Sequence, residues 1–460
     1  MKKLSINEIA EIVEGATFNL DLDEQVSIYP VISSKEANKD TFFAAFEGTK
    51  ADGHDFTDEA IKNGAKFALV SKPVNEPHIL VPNVLNALSK LARFNRKALP
   101  NLKVIGITGS QGKTTTKDLM HHLLSVLGKT VAPSASLNNE LGVPLLLLKC
   151  DESIAFCIVE MGARHIGDIS HLVELAEPNI GVVLNVGQAH LGEFGSREKI
   201  AEAKGELIAG LPEDGIAVLG NYDPFTPTMA EGMGLRKVIF GESNSCDVRA
   251  ADIEIREGRA NFDLVTKAGR APVSLQLLGS HQVSNALAAA AVAEILGMGI
   301  DSIAASLSTA DLRSRWRMEL IQIAEVSLIN DSYNANPESM SAALRSLALL
   351  AQERGGVSWA FLGKMHELGA SSPVQHEMIG KIASDIGIDH LVSIGVKEYL
   401  NDLTEGDTTG HLVNDLSEAL TFMKFIQPGD VLLVKASRAE NLDKLSEEII
   451  KELKQRELER

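Results

Sequence analysis

Residues 103–116 read KVIGITGSQGKTTT, a β-branched run that breaks into a glycine-rich turn and then into Gly-Lys-Thr-Thr. The run predicts a strand, and the residues after it predict a helix from Lys113 to Leu127 with Gly128 as its stop. Glycines at 109 and 112 let the backbone fold closely round phosphates. The helix start adds partial positive charge, Lys113 reaches the terminal phosphates, and Thr114 offers a hydroxyl to Mg²⁺. Gly109, Ser110, Gln111, Gly112, Lys113, Thr114 and Thr115 are therefore the candidate nucleotide-binding residues. The spacing departs from the common G-x4-G-K-[ST], because Ile107, not glycine, stands six positions before Lys113. A bare strand-to-helix turn is the plain alternative, and Gly-Lys-Thr-Thr in this setting argues against it.

Outward from this loop the same alternation continues. IAFCIVE, NIGVVLNV and GIAVLG read as further strands separated by helical stretches, and the Ala-rich helix NALAAAAVAEIL closes the segment. Such a rhythm predicts a mainly parallel sheet covered by helices. Upstream, DTFFAAF and AKFALVS are strand-like, FTDEAIKNGA lies between them as a helix, and VLNALSKLARFNRKAL reads as a helix ending before Pro100. Downstream, VSLIND, VSWAFLG, HLVSIG and DVLLVKAS alternate with SMSAALRSLALL and a charged terminal helix. The expected organisation is three α/β domains, over 1–100, 101–314 and 315–460.

Composition agrees and excludes other classes. The chain has 460 residues, and 44 Lys plus Arg against 62 Asp plus Glu leave a net charge of −18. At about 150 residues per domain, that length suggests roughly three domains. Hydrophobic residues at 45% and charged residues at 23% describe a globular protein, not a disordered or collagen-like one. An acidic balance argues against broad nucleic-acid binding, which needs extended positive surface. It leaves room for an anionic small molecule, held by a few lysines and backbone N–H groups. Three cysteines without CxxC spacing suit buried thiols in a reducing compartment. The opening MKKLSINEIAEIVEGA meets Glu8, Glu11 and Glu14 too soon for a secretory signal, and no apolar run approaches the ~18 residues of a membrane span. A cytoplasmic protein without membrane insertion is expected.

Further candidates stand at predicted strand ends, where open α/β sheets bind ligands. IAFCIVE delivers Glu160 and NIGVVLNV runs into Gln188-Ala189-His190. A carboxylate and an imidazole there could hold a metal ion bridging phosphate and acceptor. Singly, Glu160 reads as a surface acid and His190 as a loop histidine; the phosphate loop in the same sheet favours function for both. Asn138 and Asn139 sit in the polar loop SLNNELGVP, where turn chemistry is the bland alternative. Asn285 lies one turn after His281 in GSHQVSNALAAA. VSLINDSYNANP ends its strand at Asp331, and DVLLVKASRAE ends in Lys435, Ser437 and Arg438.

Together, TGSQGKTTT, SLNNELGVP, IVEMGARHIGDI, VGQAHLGEFGS, AKGELI, GSHQVSNALAAA, NDSYNANPESM, FLGKMHELG and VKASRAE resemble the Mur ligases of peptidoglycan synthesis, in one order over nearly the whole chain. The resemblance implies an N-terminal UDP-binding domain, a central P-loop ATPase domain and a Rossmann-like C-terminal domain. NNELGVP, DSYNANP and GKMHELG are the selective pieces. They resemble the branch that joins D-alanyl-D-alanine to UDP-N-acetylmuramoyl-tripeptide (UDP-MurNAc-tripeptide) with ATP and Mg²⁺, through an acyl phosphate. A DNPR-type motif, typical of the ligase adding the third amino acid, is absent.

Carried over by motif, the resemblance implies charge neutralisation by Lys113, Thr114, Glu160 and His190. It puts Asn285 on adenine, Asp331 on ribose and Arg317 on the nucleotide phosphates. Ser33, Ser34, Asn138 and Asn139 would address the UDP-sugar, with Lys435 and Ser437 near the reacting groups of that substrate. In Ile32-Ser33-Ser34-Lys35, relatives often have Asp-Ser/Thr-Arg, and lysine cannot copy an arginine fork. Lys204, in AKGELI, matches a lysine often carbamylated in the family, which would make it a further metal ligand. Without the resemblance, Lys204 reads as a solvated helical lysine. Closure about a hinge near residue 315 is expected to complete the site. The rivals are another ligase of the same scaffold, a folylpolyglutamate-synthase-like enzyme and, from a different class, a P-loop nucleotide switch.

Overall fold

The computed structural model describes residues 1–48, 51–133, 137–187, 191–311, 314–403 and 408–458. Three main α/β sheets of five, nine and six strands follow one another along the chain.

The first sheet runs, in spatial order, Ala16–Phe18, His78–Leu80, Ala68–Val70, Thr41–Ala44 and Tyr29–Val31. It is parallel except at its Ala16–Phe18 edge. Helix Val84–Lys97 comes next, started by the Asn83 side chain accepting the Asn86 N–H. Its apolar face buries Val84, Ala87, Leu88, Leu91 and Ala92, where each buried leucine is worth about 1.5–3 kcal/mol. At its C-terminal end Asn95 and Arg96 are buried too, and both cross to the central segment. Asn95 donates to the Leu147 and Cys150 carbonyls. Arg96 donates to the carbonyls of Ala176 (3.0 Å) and Glu177 (2.9 Å) and to Asn179 Oδ1. These bonds seat the N-terminal unit.

The nine-stranded sheet is built round Lys103–Thr108, flanked by Phe156–Glu160 and Ile180–Val183 in parallel register. These strands are buried on both faces, as their continuous apolar runs require. Helices Lys113–Leu127 and Gln282–Ile295 share one core on one side. The alanines of the second permit close approach. Helices Asp168–Ala176 and Arg197–Ala209 cover the other side. Beyond Arg236–Gly241, the sheet continues into Val248–Arg256, Arg259–Thr266 and Gly269–Leu278, the last two pairings antiparallel. The sequence reading passed over these strands. Their alternating burial and the two positive-φ residues Glu257 and Gly258 mark a two-residue hairpin on a sheet with one solvated face.

The third sheet orders Glu319–Ile323, Val326–Asp331, Val431–Lys435, Ser358–Leu362, His390–Ile394 and Thr409–Val413. Only the first pair is antiparallel. Helix Asp443–Leu458 buries Leu445, Ile449 and Leu453 and turns its charged face outward, as its pattern predicts. Cys150, Cys157 and Cys246 are free and buried.

Candidate active site

The carboxyl ends of the central and C-terminal sheets meet at one cavity of about 1080 Å³, which helix Val84–Lys97 also lines. The phosphate loop forms part of its wall. Gly109 and Gly112 take φ of 157° and 80°, and a Cβ on Gly112 would lie 2.2 Å from Asn285 Oδ1. The conformation and the close approach both demand glycine there. Asn185 holds the loop from beneath, its carbonyl accepting Ser110 N–H and its side chain accepting Gln111 N–H, each at 3.1 Å. Lys113 donates to the Gly109 carbonyl at 2.7 Å. Burial pulls its ammonium down from the ordinary value, the Glu160 carboxylate opposes this, and Arg317 adds to it.

Glu160, 1% exposed, ends its strand in register with Ile107 of the phosphate-loop strand. Its Oε2 accepts the Thr114 hydroxyl and its Oε1 accepts Asn138 Nδ2, both at 3.1 Å. Lys204, 4% exposed, lines the same cavity from helix Arg197–Ala209. Burial, and secondarily the Lys113 charge, lower its ammonium to about 7. A helix lysine that the sequence alone would put in solvent is thus buried and often neutral. His190 lies outside the described residues.

From the opposite sheet come Asp331 and Lys435, paired across neighbouring parallel strands. Lys435 Nζ stands 2.6 Å from Asp331 Oδ2, while Asp331 Oδ1 accepts Met318 N–H at 3.1 Å. Next to Met318, the Arg317 guanidinium lies over the Tyr333 ring at 4.0 Å. His281 also lines the cavity; burial holds its imidazole below the ordinary value, against the Asp331 charge.

Of the predicted residues, the cavity wall gathers Ser110, Gln111, Gly112, Lys113, Thr114, Thr115, Asn138, Asn139, Glu160, Lys204, Asn285, Arg317, Asp331 and Lys435. Several have structural employment as well. Asn285 accepts the Thr116 hydroxyl and donates to Gln282 Oε1, so it braces the first turn of the helix that follows the phosphate loop. Asn139 Oδ1 accepts Gly142 N–H, the turn role weighed for it. Gly109, Ser33, Ser34 and Ser437 are not in that wall. Ser34 donates to Glu59 within the first unit, and Ser437 accepts His366 N–H and donates to the Ala335 carbonyl.

The sequence reading missed Asn86, Lys90 and Arg93, which line the cavity from the N-terminal side. Their spacing of four and three, opposite an apolar stripe, was the available signal. Asn185 and Tyr333 were missed because no spacing rule distinguishes them from ordinary loop residues.

Oxygen donors at the loop suit a hard cation. Among the described residues no cluster of three or more His, Cys, Asp or Glu could hold a metal by itself. A hydroxyl and a carboxylate meeting at one point fit Mg²⁺, which keeps waters and takes substrate phosphates as ligands. A glycine loop at a helix start, buried lysines, a carboxylate and a cation from the facing sheet suit an enzyme of nucleotide-dependent phosphoryl transfer.

Comparison with known proteins narrows this class. Residues 31–107, 107–293 and 316–438 match the family models described as Mur ligase family, catalytic domain; Mur ligase middle domain; and Mur ligase, glutamate ligase domain. The UDP-N-acetylmuramoyl-tripeptide–D-alanyl-D-alanine ligase of Mycobacterium tuberculosis is 38% identical over 500 residues, covering 98% of each chain. That of Escherichia coli is 34% identical over 97% of this chain and 98% of its own. MurF from Acinetobacter baumannii superposes with a TM-score of 0.87 at 31% identity, covering 98% of this chain and 99% of its own. MurF from Thermotoga maritima, in complex with ADP, gives 0.79 at 31% identity over 94% and 99%. The chain belongs to the Mur ligase family.

Proposed function

We propose that this ligase uses ATP to join D-alanyl-D-alanine to UDP-MurNAc-tripeptide, and that the residues gathered above perform the reaction. One observation carries the reading. The phosphate loop, Glu160 and Lys204 face Asp331, Lys435 and Arg317 across a single cavity long enough to reach the N-terminal unit. The named relatives, matched from end to end, support the choice of substrates.

The terminal carboxylate of the tripeptide attacks the γ-phosphorus, forming an acyl phosphate and releasing ADP. The dipeptide amine then adds to the acyl carbon, and the tetrahedral species expels phosphate and loses a proton to leave an amide. Phosphoryl transfer demands positioning and charge neutralisation more than a protein nucleophile. Lys113 exchanges the Gly109 carbonyl for the terminal phosphates, while Asn185, which accepts the Ser110 and Gln111 N–H groups, fixes the shape of the loop. Asn138 orients Glu160. Arg317, stacked on Tyr333, brings a cation from the C-terminal side. Mg²⁺, held by Thr114 and Glu160, and by His190 and a carbamylated Lys204, would screen the phosphate charge. We assign Asn285 and Asp331 to the nucleoside, and Asn138, Asn139, Ser33, Ser34, Lys435 and Ser437 to the UDP-substrate, with domains at 1–100, 101–314 and 315–460. Among the described residues no helix is long and apolar enough to cross a membrane. We place the enzyme in the cytoplasm, where its nucleotide substrates are made.

An oxygen-transfer experiment tests the mechanism. With ¹⁸O in the tripeptide carboxylate, one labelled oxygen should appear in the released phosphate for each amide formed. Unlabelled phosphate would exclude the acyl phosphate.

A further inference from the structure

One helical turn after Lys113 lies a buried ion pair that the chemistry above leaves unused. Lys117 and Asp118 are 1% and 3% exposed, with Lys117 Nζ 3.0 Å from Asp118 Oδ1. Lys117 also donates to the Pro133 carbonyl at 2.7 Å and to Ser314 Oγ at 3.4 Å. Asp118 Oδ2 accepts the Ser314 N–H at 3.0 Å. The pair therefore ties the phosphate-loop helix to two distant segments. Pro133 stands five residues before Asn138. Ser314 lies where the chain crosses from helix Ile300–Thr309 of the central unit to strand Glu319–Ile323 of the C-terminal sheet.

Ser314 is three residues from Arg317 and four from Met318, which gives its placement a bearing on the site. Arg317 and Met318 line the cavity, Arg317 on Tyr333 and Met318 N–H on Asp331. Moving Ser314 would move the start of that segment. A pair needed only for packing could be replaced by apolar residues of similar volume, since buried charges are expensive to desolvate. What the charges add is directional: an acceptor for one backbone N–H and a donor to a carbonyl and a hydroxyl.

We propose that Lys117 and Asp118 are positioning residues for phosphoryl transfer. They fix the interdomain crossover at Ser314 to the helix whose N-terminus binds the nucleotide. Nucleotide binding and delivery of Arg317 from the C-terminal side then become one event. The inference rests on the ligase reading above, and the experiment separates the two.

The test combines steady-state kinetics with small-angle scattering of the full chain, with and without a non-hydrolysable ATP analogue and UDP-MurNAc-tripeptide. Wild type should turn over and compact; if it does neither, the ligase reading fails, whatever the pair does. Lys117→Met combined with Asp118→Leu removes both charges at similar volume. This variant should melt close to wild type and bind the analogue. It should nevertheless fail to compact and lose roughly tenfold or more in kcat, with KM for the dipeptide little changed. Asp118→Asn, which keeps an acceptor for Ser314 N–H, should recover most of that loss. Wild-type kcat and compaction in the double variant would overturn the proposal, as would a kcat loss that leaves compaction intact. If the double variant does not fold, Ser314→Pro leaves the pair in place but removes both the N–H that Asp118 accepts and the hydroxyl that Lys117 reaches, besides fixing the local φ, and carries the same expectations; wild-type kcat there would overturn the proposal.

Discussion

At residue scale, two lysines matter most, because their surroundings set what their chemistry can be. Lys113 was legible: Gly112 before it and Thr114 after it fix its place at a helix start. Lys113→Ala removes the long cation that we assign to the transferring phosphoryl group, and turnover should fall far below a tenth of wild type. Retention of more than about a tenth of kcat, a barrier change under ~1.4 kcal/mol, would show that the loop is not catalytic. Lys204 was not legible from its flanking acids, because helix burial depends on partners distant in sequence. Its ammonium falls from the ordinary 10.5 to about 7, through burial first and the Lys113 charge second. Between those values the unfolded chain holds a proton that the folded chain has lost, so this group makes stability rise with pH across the window. Below about 7 both states hold the proton and the burial penalty is felt in full. In CO₂-free buffer, the Tm of wild type relative to Lys204→Met should therefore climb from pH 7 toward pH 10.5; a flat difference would contradict this environment. A neutral amine is the form that reacts with CO₂, which is why we propose a carbamate at Lys204. Lys204→Ala should be nearly inactive and partly rescued by acetate, and wild type should lose activity on CO₂ depletion and regain it with bicarbonate. Near-normal activity of Lys204→Ala would restore the solvated-lysine reading.

At the scale of elements, helix Val84–Lys97 shows how much one amphipathic segment decides. Its apolar stripe and its end before Pro100 were readable from spacing. That its last turn would carry a buried arginine into the central segment was not, since burial of Arg96 depends on carbonyls at 176 and 177 that no local pattern announces. The docked helix presents Asn86, Lys90 and Arg93 to the cavity. Arg96→Met keeps the packing volume but strands those carbonyls, at about 1–3 kcal/mol for each unsatisfied group. Kinetics should show KM for UDP-MurNAc-tripeptide rising several-fold while KM for ATP stays near wild type. Equal increases in both would mean that the helix does not serve the UDP-substrate separately. The three strands after Arg236–Gly241 were hidden for another reason: a run such as APVSLQLL carries a period of two, but the parallel rhythm before it masks the change.

For the whole molecule, the alternation of strands and helices was enough to foresee three α/β units and a mainly parallel central sheet. It could not foresee how the sheets face one another. That relation rests on long-range bonds such as those of Arg96 and on the crossover at Ser314, and it converts scattered strand ends into one cavity. Acidic overall, with a net charge of −18, the chain still directs Lys113, Arg317 and Lys435 inward to that cavity, as an anionic substrate pair requires. The central claim is that this cavity joins a dipeptide to a UDP-linked tripeptide at the expense of ATP. Phosphate release from ATP with Mg²⁺ and UDP-MurNAc-tripeptide tests it most directly, comparing D-alanyl-D-alanine with single amino acids as acceptor. The account expects release only with the dipeptide, matched by equal UDP-MurNAc-pentapeptide. Release equally fast with a single amino acid, or release with no acceptor at all, would contradict it.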